Sequence, residues 1–294
     1  MTLALSRFEQ EDIAAGVAAN LRSDGRLRTD YRPFTVESGI VSNTSGSARV
    51  RLGLTDVLVG VKAEIGEPDQ AKPTQGRFEV TVDFSSTSAS AAAFDDDNTE
   101  TELASAIART LKGVDLSALC IVPGEQCWVI YIDALILVAA GNAYDVLSLA
   151  VRAALANTRI PKVEVSDDGH GRVELEVSDD PHHVTELDIR AVPVIVTLSK
   201  IGAFHIVDAT IEEESCAKSR VHVAVDSKGA FCMVTKASAG GIEPQLLFDA
   251  LESAKQVGQH LLSQLEATLK QEERALAMFP NSQRGFLTDL QSAT

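Results

Sequence analysis

Hydrophobic residues near the start of the chain recur at roughly helical intervals. The recurring residues are Phe8, Ile13, Val17 and Leu21. Residues about four positions apart lie on one face of an α-helix, so the pattern indicates an amphipathic helix. Ser6 and Glu9 have the S-x-x-E spacing of a capping box, which satisfies free amides at a helix start. We therefore predict a helix from about Ser6 to the segment 23–25.

From Ala48 the hydrophobic pattern changes to a period of two, which is typical of β-strands because successive side chains point to opposite faces. A turn at Gly53 interrupts the alternation, so we predict a β-hairpin that runs to about Ile65. A further strand is predicted over residues 78–84. The alternating residues are Val50, Leu52, Val57, Val59, Val61, Phe78, Val80, Val82 and Phe84.

Three segments complete the first half. Residues 85–101 are small, polar and acidic, which favours an exposed loop, and residues 102–112 then predict a helix. Residues 127–140 are almost continuously apolar, as expected of a central strand that is covered on both faces. A helix is predicted over residues 144–157, stopped before Pro161.

The second half repeats this order of strands followed by a helix. Strands are predicted at 192–199, 203–208, 220–225 and 230–236, and a long helix starts at Pro244. The two halves imply an α+β protein of pseudo-duplicated domains. We divide the chain into an N-terminal helix (1–25), a first domain (26–162), an acidic hinge or hairpin in which EVSDD occurs twice (163–190), a second domain (191–277) and a tail (278–294).

Composition limits the function. The chain has 294 residues, a formal net charge of −16 and a pI of about 4.8. Its overall charge therefore does not favour binding to nucleic acid, and any such contact has to be local. No run approaches the roughly 18 apolar residues of a membrane span, and we expect a soluble, intracellular protein without a membrane partner. The four cysteines (Cys120, Cys127, Cys216, Cys232) have no metal-site spacing, so we expect buried or partly buried free thiols in a reducing compartment. His182 and His183 are interpreted as a solvated pair.

An ordered set of motifs resembles the RNase PH family. It starts with Arg22-x-Asp24-Gly25-Arg26 and Arg32-Pro33, and continues with GSARVxxGxT over residues 46–55. Later blocks at 61–66, 153–161 and 207–214 agree, so the likeness covers about residues 4–270. Within this family, the chain resembles the inactive ring subunits of the RNA exosome.

The resemblance implies an RNase PH-like fold of two ββαβ-type halves. The first would be like domain 2 of ribosomal protein S5, and the second a smaller α/β domain. It further implies a hetero-hexameric ring of RNase PH-like exosome subunits with RNA in its channel, RNA-binding cap subunits and associated nuclease subunits. It implies no cofactor, and residence in nucleus, nucleolus and cytoplasm.

The resemblance also identifies the positions that carry phosphorolysis. Active members hold phosphate at a helix N-terminus with a Gly-Gly-Thr-Arg-like run, where free amides and the helix dipole favour an anion. This chain places Asn142 at the hydroxyl position and Ala143 at the guanidinium position, while Asp145 adds a charge that would repel phosphate. The family's general-acid and metal-holding aspartates match Asp208 and Glu214, which we interpret as degenerate remnants.

Other charged residues have structural or RNA-binding interpretations. We expect Arg22, Arg26, Arg28 and Arg32 to pair with Asp24 and Asp30, with a subunit contact as a further role. The three glutamates 212–214 predict a solvated acidic strand end or interface patch, and no metal is assigned. Arg109 and Lys112, three apart on the predicted helix, are the RNA-binding candidates, the alternative being a solvated helix face. Trp128 and Phe231 are interpreted as core residues.

Three functions therefore stand beside one another. The favoured one is a non-catalytic scaffold that channels RNA to nucleases for 3′-to-5′ processing and degradation. The second is an active phosphate-dependent 3′-to-5′ exoribonuclease that uses Asp208 and Glu214. The third is a metabolic or binding protein that shares only the fold.

Overall fold

A computed structural model describes residues 5–85, 97–167, 173–178, 180 and 183–278 of the chain. The first half consists of α1 (Arg7–Ala18), β1 (Phe34–Ser38), β2 (Gly46–Leu52), β3 (Thr55–Gly66), β4 (Arg77–Phe84), α2 (Asp97–Leu111), β5 (Cys120–Val122), β6 (Gln126–Val138) and α3 (Ala143–Ala156). The second consists of β7 (Arg159–Pro161), β8 (Val163–Asp167), β9 (Val173–Val177), β10 (Val184–Glu186), β11 (Val194–Ile201), β12 (Phe204–Val207), α4 (Ile211–Cys216), β13 (Ser219–Val225), β14 (Phe231–Ala237) and α5 (Pro244–Met278).

The first sheet has the strand order β1-β2-β3-β6-β4. β5 pairs with the first residues of β6, before the part of β6 that pairs with β4. β6 is apolar on both faces because it lies between β3, which is antiparallel to it, and β4, which is parallel. The β2–β3 hairpin turns at Gly53, whose φ of 58° lies in the left-handed region that favours glycine. The central position of residues 127–140 and this hairpin are confirmed.

The second sheet has the order β12-β11-β13-β14, and all its pairs are antiparallel. One face of α5 packs on it through small and branched side chains, which bury Ala250, Ala254 and Leu261. α3 lies between the two sheets and is buried on nearly every side, from Asp145 to Leu155. The core of the first half therefore continues into the second through Val194 and Ile195 of β11.

Several predicted boundaries differ from the structure. The Ser6 capping box is present, but α1 ends at Ala18 because Asn20 adopts a left-handed φ of 57°, so the predicted end at 23–25 is wrong. α2 begins at Asp97 rather than at residue 102. Five short elements were not predicted, because three to six residues show little hydrophobic periodicity: β1, β5, β7, β10 and α4.

The acidic segment folds as an antiparallel hairpin in which β8 pairs with β9. Most of the loop predicted at 85–101 (residues 86–96), His182 and most of the tail (279–294) lie outside the described residues. Trp128 is core, at 8% exposed, whereas Phe231 is 46% exposed on the edge strand β14, so its assignment to the core is wrong. Within the described ranges, no helix is long and apolar enough to cross a membrane.

Candidate functional site

The carboxylate of Asp208 lies at the centre of the site, immediately after β12 and fully buried. Its Oδ2 accepts hydrogen bonds from the Arg32 backbone N (2.9 Å), Arg32 Nε (2.8 Å) and Arg26 Nη1 (2.8 Å). Its Oδ1 accepts from Arg32 Nη2 (2.6 Å) and Asn142 Nδ2 (2.9 Å). Burial alone would raise the pKa of Asp208, but the hydrogen bonds and charges of Arg32 and Arg26 outweigh it and hold that pKa below its usual value.

A second buried ion pair lies next to it. The guanidinium of Arg22 is bidentate on the carboxylate of Glu213 and also donates to the backbone oxygens of Val207 (3.0 Å) and Asp208 (2.8 Å). Glu213 is 2% exposed and completes a capping box with Thr210 at the start of α4. The expectation of a solvated acidic strand end is therefore wrong, because this stretch begins a helix whose third residue faces inward.

The arginines of residues 22–32 thus find most of their partners far along the chain. Arg26 does pair with Asp24 (2.7 Å), as expected, but it shares Asp208 with Arg32. Arg28 bonds the Asn20 side chain, and its guanidinium carbon lies 4.2 Å from the Phe204 ring centre. The Asp30 carboxylate accepts from the backbone N of Leu27 (2.8 Å), whereas Arg26 donates to the Asp30 backbone oxygen (3.4 Å). The predicted local ion pairs are therefore wrong for Arg22, Arg28 and Arg32.

The N-terminus of α3 binds a carboxylate of the same chain. Glu214 Oε1 accepts a hydrogen bond from the backbone N of Asn142 at 2.8 Å, where a helix offers free amides to an anion. The two segments approach so closely that a Cβ on Gly141 would lie 2.8 Å from the Ala209 oxygen, and Gly141 has a φ of 94°. Burial raises the pKa of Glu214, against the opposing effects of the Asn142 amide and the Arg220 charge.

The Asn142 side chain does not cap the helix. Asn142 has a left-handed φ of 60°, and its Nδ2 donates to Asp208 and to the Tyr31 hydroxyl oxygen (3.0 Å). The Tyr31 hydroxyl in turn donates to Asp145 Oδ2 at 3.0 Å. A chain of hydrogen bonds therefore joins the buried carboxylates of Asp208 and Asp145.

Asp145 lies inside the molecule rather than at the mouth of an anion site. Its carboxylate is fully buried and accepts from the backbone N (3.0 Å) and the hydroxyl (2.6 Å) of Thr197 on β11. Burial raises the pKa of Asp145 to about 7, against the lowering effect of the Thr197 and Tyr31 hydrogen bonds. The expectation that Asp145 repels phosphate is wrong, since the side chain joins α3 to the second sheet.

Arg109 and Lys112 are both exposed, Arg109 on the last turn of α2 and Lys112 just after it. Arg109 lines a cleft of about 370 Å³ between α2 and β14, together with Tyr144, His222 and Lys236. Lys112 is not among the residues that line this cleft. The structure thus joins Arg109 with a cation that sequence reasoning missed, because Lys236 lies on a strand more than a hundred residues away.

The wall of this cleft is an aromatic stack. The rings of Tyr144 and His222 lie 4.0 Å apart between centres, and His222 Nδ1 is 2.9 Å from the Thr197 hydroxyl. Burial, with the charges of Arg220 and Arg109, lowers the pKa of His222 to about 4, so this imidazole is neutral at neutral pH. Among the described residues, no group of three His, Cys, Asp or Glu side chains is placed to hold a metal ion.

The geometry limits the chemistry of this site. A carboxylate has about four lone-pair positions, and Asp208 already accepts five hydrogen bonds. Its lowered pKa means that the Asp208 carboxyl is ionised at neutral pH. Glu214 accepts from the backbone amide of Asn142 at the start of α3, and the Ala143 side chain carries no charge.

The chain is thus an α+β protein of two halves, in which the first residue before α3, Asn142, bonds the buried carboxylate of Asp208 from the second half. The comparisons with known proteins give its family. Residues 30–161 match the model of domain 1 of the 3′ exoribonuclease family (RNase PH), and residues 191–257 match the model of domain 2. The chain belongs to the RNase PH family. This confirms the resemblance inferred from the sequence motifs.

Curated relatives and solved structures of exosome components are also similar to this chain. The exosome complex component Rrp42 of Methanopyrus kandleri is 34% identical, over 90% of this chain and 98% of its own length. The putative exosome complex exonuclease RRP42 of Dictyostelium discoideum is 33% identical, over 91% and 98%. A structure described as an archaeal exosome core matches with a TM-score of 0.71 and 26% identity, over 88% of this chain and 96% of that one. These matches confirm the predicted RNase PH-like fold of two domains.

A second solved structure is described as an Archaeoglobus fulgidus exosome with RNA bound to the active site. It matches with a TM-score of 0.72 and 26% identity, over 87% of this chain and 97% of that one.

Proposed function

We propose that this chain is a non-catalytic, Rrp42-type subunit of an RNA exosome ring, in which it supports 3′-to-5′ RNA processing and degradation as a scaffold and as part of the channel wall. The likeness to exosome components over about nine-tenths of the chain supports the ring. The likeness to an exosome with bound RNA supports the channel. Its partners are other RNase PH-like subunits, cap subunits that bind RNA and associated nucleases, in nucleus, nucleolus and cytoplasm.

One observation carries the non-catalytic part of the proposal. Asp208, which matches the family's general acid, is saturated by Arg26, Arg32 and Asn142. Two guanidinium groups stabilise its ionised form, which is the wrong protonation state for donating a proton to a leaving group. Glu214 meanwhile competes with phosphate for the amide of Asn142.

The alternative is an active phosphate-dependent exoribonuclease that uses Asp208 and Glu214. The word exonuclease in the name of the Dictyostelium relative is the observation in its favour. On this alternative, the arginines would have to release Asp208 when RNA and phosphate bind. A reconstituted ring therefore has to be tested, since a neighbouring subunit could change the site.

Native mass spectrometry of complexes recovered through a tag on this chain tests the scaffold. We expect one assembly of many different chains with a single copy of this one. A stable monomer, or a ring built only of this chain, would overturn the proposal.

A nuclease assay on the recovered ring tests catalysis. It compares release of nucleoside diphosphate, with and without phosphate, between the wild type and Asp208→Asn. In a ring whose other catalytic sites are inactivated, we expect no phosphate-dependent release from either. Release that Asp208→Asn abolishes would establish the alternative.

A further inference from the structure

The β5–β6 hairpin places two cysteines opposite each other. Its turn is Val122-Pro123-Gly124-Glu125, closed by a hydrogen bond from Glu125 N to Val122 O (3.1 Å). Pro and Gly are the residues that a tight turn favours at its two central positions, and Gly124 has the required positive φ, 81°. Gly124 N also donates to Pro73 O (2.8 Å), which ties the turn to the segment before β4.

This turn brings Cys120 of β5 into register with Cys127 of β6. Directly opposed residues of an antiparallel pair have Cα atoms about 4.5 or 5.5 Å apart and side chains on the same face. Disulfides need Cα atoms roughly 4.4 to 6.8 Å apart, so both spacings suit a bond. The register shift of this hairpin lies between Cys120 and Val122, on the turn side of the pair.

We propose that Cys120 and Cys127 are a redox-modification site that forms a reversible cross-strand disulfide. Both are free thiols in this structure. The inference rests on the hairpin alone and is independent of the proposed function.

Exposure assigns the two sulfurs different roles. Cys120 is partly exposed and lines a cleft of about 220 Å³ that also contacts Trp128 and Lys162, so a small oxidant can reach it. Cys127 is fully buried, and burial raises the pKa of its thiol, against the opposing charge of Arg77. Cys120 is thus the thiol that reacts with the oxidant, and Cys127 is the resolving thiol.

With a peroxide as oxidant, the step balances. The Cys120 thiolate attacks one oxygen of hydrogen peroxide, the O–O bond breaks, and a sulfenic acid and one water form. Cys127 then attacks the Cys120 sulfur, the S–O bond breaks, and the second water leaves. The two thiols lose two electrons and two protons in all, and a dithiol reductant reverses the reaction.

The other two cysteines supply the controls. Cys216 ends α4 and Cys232 lies on β14, both in the second half of the chain. Cys232 is exposed, contrary to the expectation of burial, so it is the residue that unspecific oxidation should reach first. Cys232→Ser therefore leaves the proposed pair intact while it removes the most accessible thiol.

The experiment treats the full chain with a small excess of hydrogen peroxide, blocks the remaining thiols and digests the protein without reduction. Glu125 lies between the two cysteines, so a protease that cuts after glutamate separates them unless a disulfide joins the fragments. We expect linked fragments in the wild type and in Cys232→Ser, and none in Cys120→Ser. Trp128, the one tryptophan of the chain, follows Cys127 directly, so its fluorescence should change with the same kinetics.

Two results would overturn the proposal. One is separate fragments that carry sulfinic acids or blocked thiols while Cys232 is oxidised. The other is a linkage of Cys120 or Cys127 to Cys216 or Cys232. Neither result depends on nuclease activity, so both stand whatever the nuclease assay gives.

Discussion

The guanidinium of Arg32 donates two parallel hydrogen bonds to the carboxylate of Asp208, Nε to Oδ2 at 2.8 Å and Nη2 to Oδ1 at 2.6 Å. The residues are 176 positions apart, and the bond joins the segment before β1 to the end of β12. Such a bidentate pair is strong and geometrically specific. Asp208 also has a positive φ of 46°, which this fixed position of its side chain stabilises. The Asp208 carboxylate is thus a structural link between the two halves.

Arg32→Ala should destabilise the protein strongly, because the buried Asp208 carboxylate loses two hydrogen bonds and one of its two guanidinium partners, and keeps only Arg26, Asn142 and the backbone N of residue 32. Breaking a buried pair from one side typically costs about 3–5 kcal/mol in the free energy of unfolding. Urea denaturation of the full chain measures the change. Arg190→Ala is the control, since its pair with Asp188 is exposed and should leave the midpoint unchanged. A loss as small as that of the control would contradict the structural role of Asp208.

A second substitution tests the carboxylate at α3. Glu214→Ala frees the backbone amide of Asn142, and an unpaired buried donor costs about 1–3 kcal/mol. Inorganic phosphate or sulfate should then raise the melting temperature of Glu214→Ala more than that of the wild type, because the anion replaces the missing carboxylate. Glu212→Ala is the matched control, one exposed glutamate on the same short helix. Equal responses to phosphate in all three proteins would mean that Glu214 does not occupy an anion site.

Local patterns predicted much of the fold, and they did so where local rules decide the structure. The Ser6 capping box, the Gly53 hairpin and the apolar strand β6 depend on turn chemistry and periodicity within a few residues. The site depended on pairs that no local rule specifies. The bonds from Arg22 to Glu213 and from Arg32 to Asp208 join residues 191 and 176 positions apart.

The sequence also does not show which single side chains point into the core. Asp145 reads as a first-turn acid that complements a helix dipole, and sequence alone gives no sign that β11 covers it. The same holds for Glu213, whose two neighbours in sequence are acidic and more exposed. One signal was available: Thr210 and Glu213 have the spacing of a capping box, which would have predicted α4 and the bond from the Thr210 backbone N to Glu213, although not the pair of Glu213 with Arg22.

The free energy of unfolding should depend on pH through Asp145 and His222, which both contact the Thr197 hydroxyl and whose effects on stability have opposite signs. Asp145 has a pKa of about 7 when folded and 3.8 as its reference, so the folded state holds its proton more tightly and stability falls as pH rises from about 4 to 7. His222 has a folded pKa of about 4 against 6.5, so stability rises with pH between those values. Tyr31 and Asp208 face the first group, and Arg220 and Arg109 the second.

The two effects therefore offset each other in the wild type between pH 4.5 and 6.5. Asp145→Asn removes the falling contribution and should make the free energy of unfolding rise with pH over this window by up to about 3 kcal/mol. Urea titrations at pH 4.5, 5.5 and 6.5 measure it. Asp188→Asn is the control, because Asp188 is exposed and its pKa of about 2 lies outside the window. A variant whose pH profile matches the wild type would show that Asp145 does not titrate there.

RNA contact should depend on the cleft between α2 and β14 rather than on helix α2 alone. Arg109 and Lys236 line this cleft from the two halves of the molecule, together with Glu102 and the Tyr144–His222 stack, so the cleft offers two cations and an aromatic wall. In an assembled ring, Arg109→Glu and Lys236→Glu should each weaken RNA protection. Each should also lower the dependence of log K on log salt by about 0.7 or more, the value for one lost single-strand phosphate contact.

Lys112→Glu distinguishes an RNA contact in the cleft from the contact predicted from the sequence, which uses the α2 face with Arg109 and Lys112. A loss as large as that of Arg109→Glu would restore the pair of Arg109 and Lys112 as the RNA contact. Lys228→Glu is the control, since Lys228 is exposed at the turn of the same β13–β14 hairpin, at the end opposite Lys236. If all four reversals weaken RNA binding equally, the effect is one of net charge, and this chain has no specific place for RNA in the cleft.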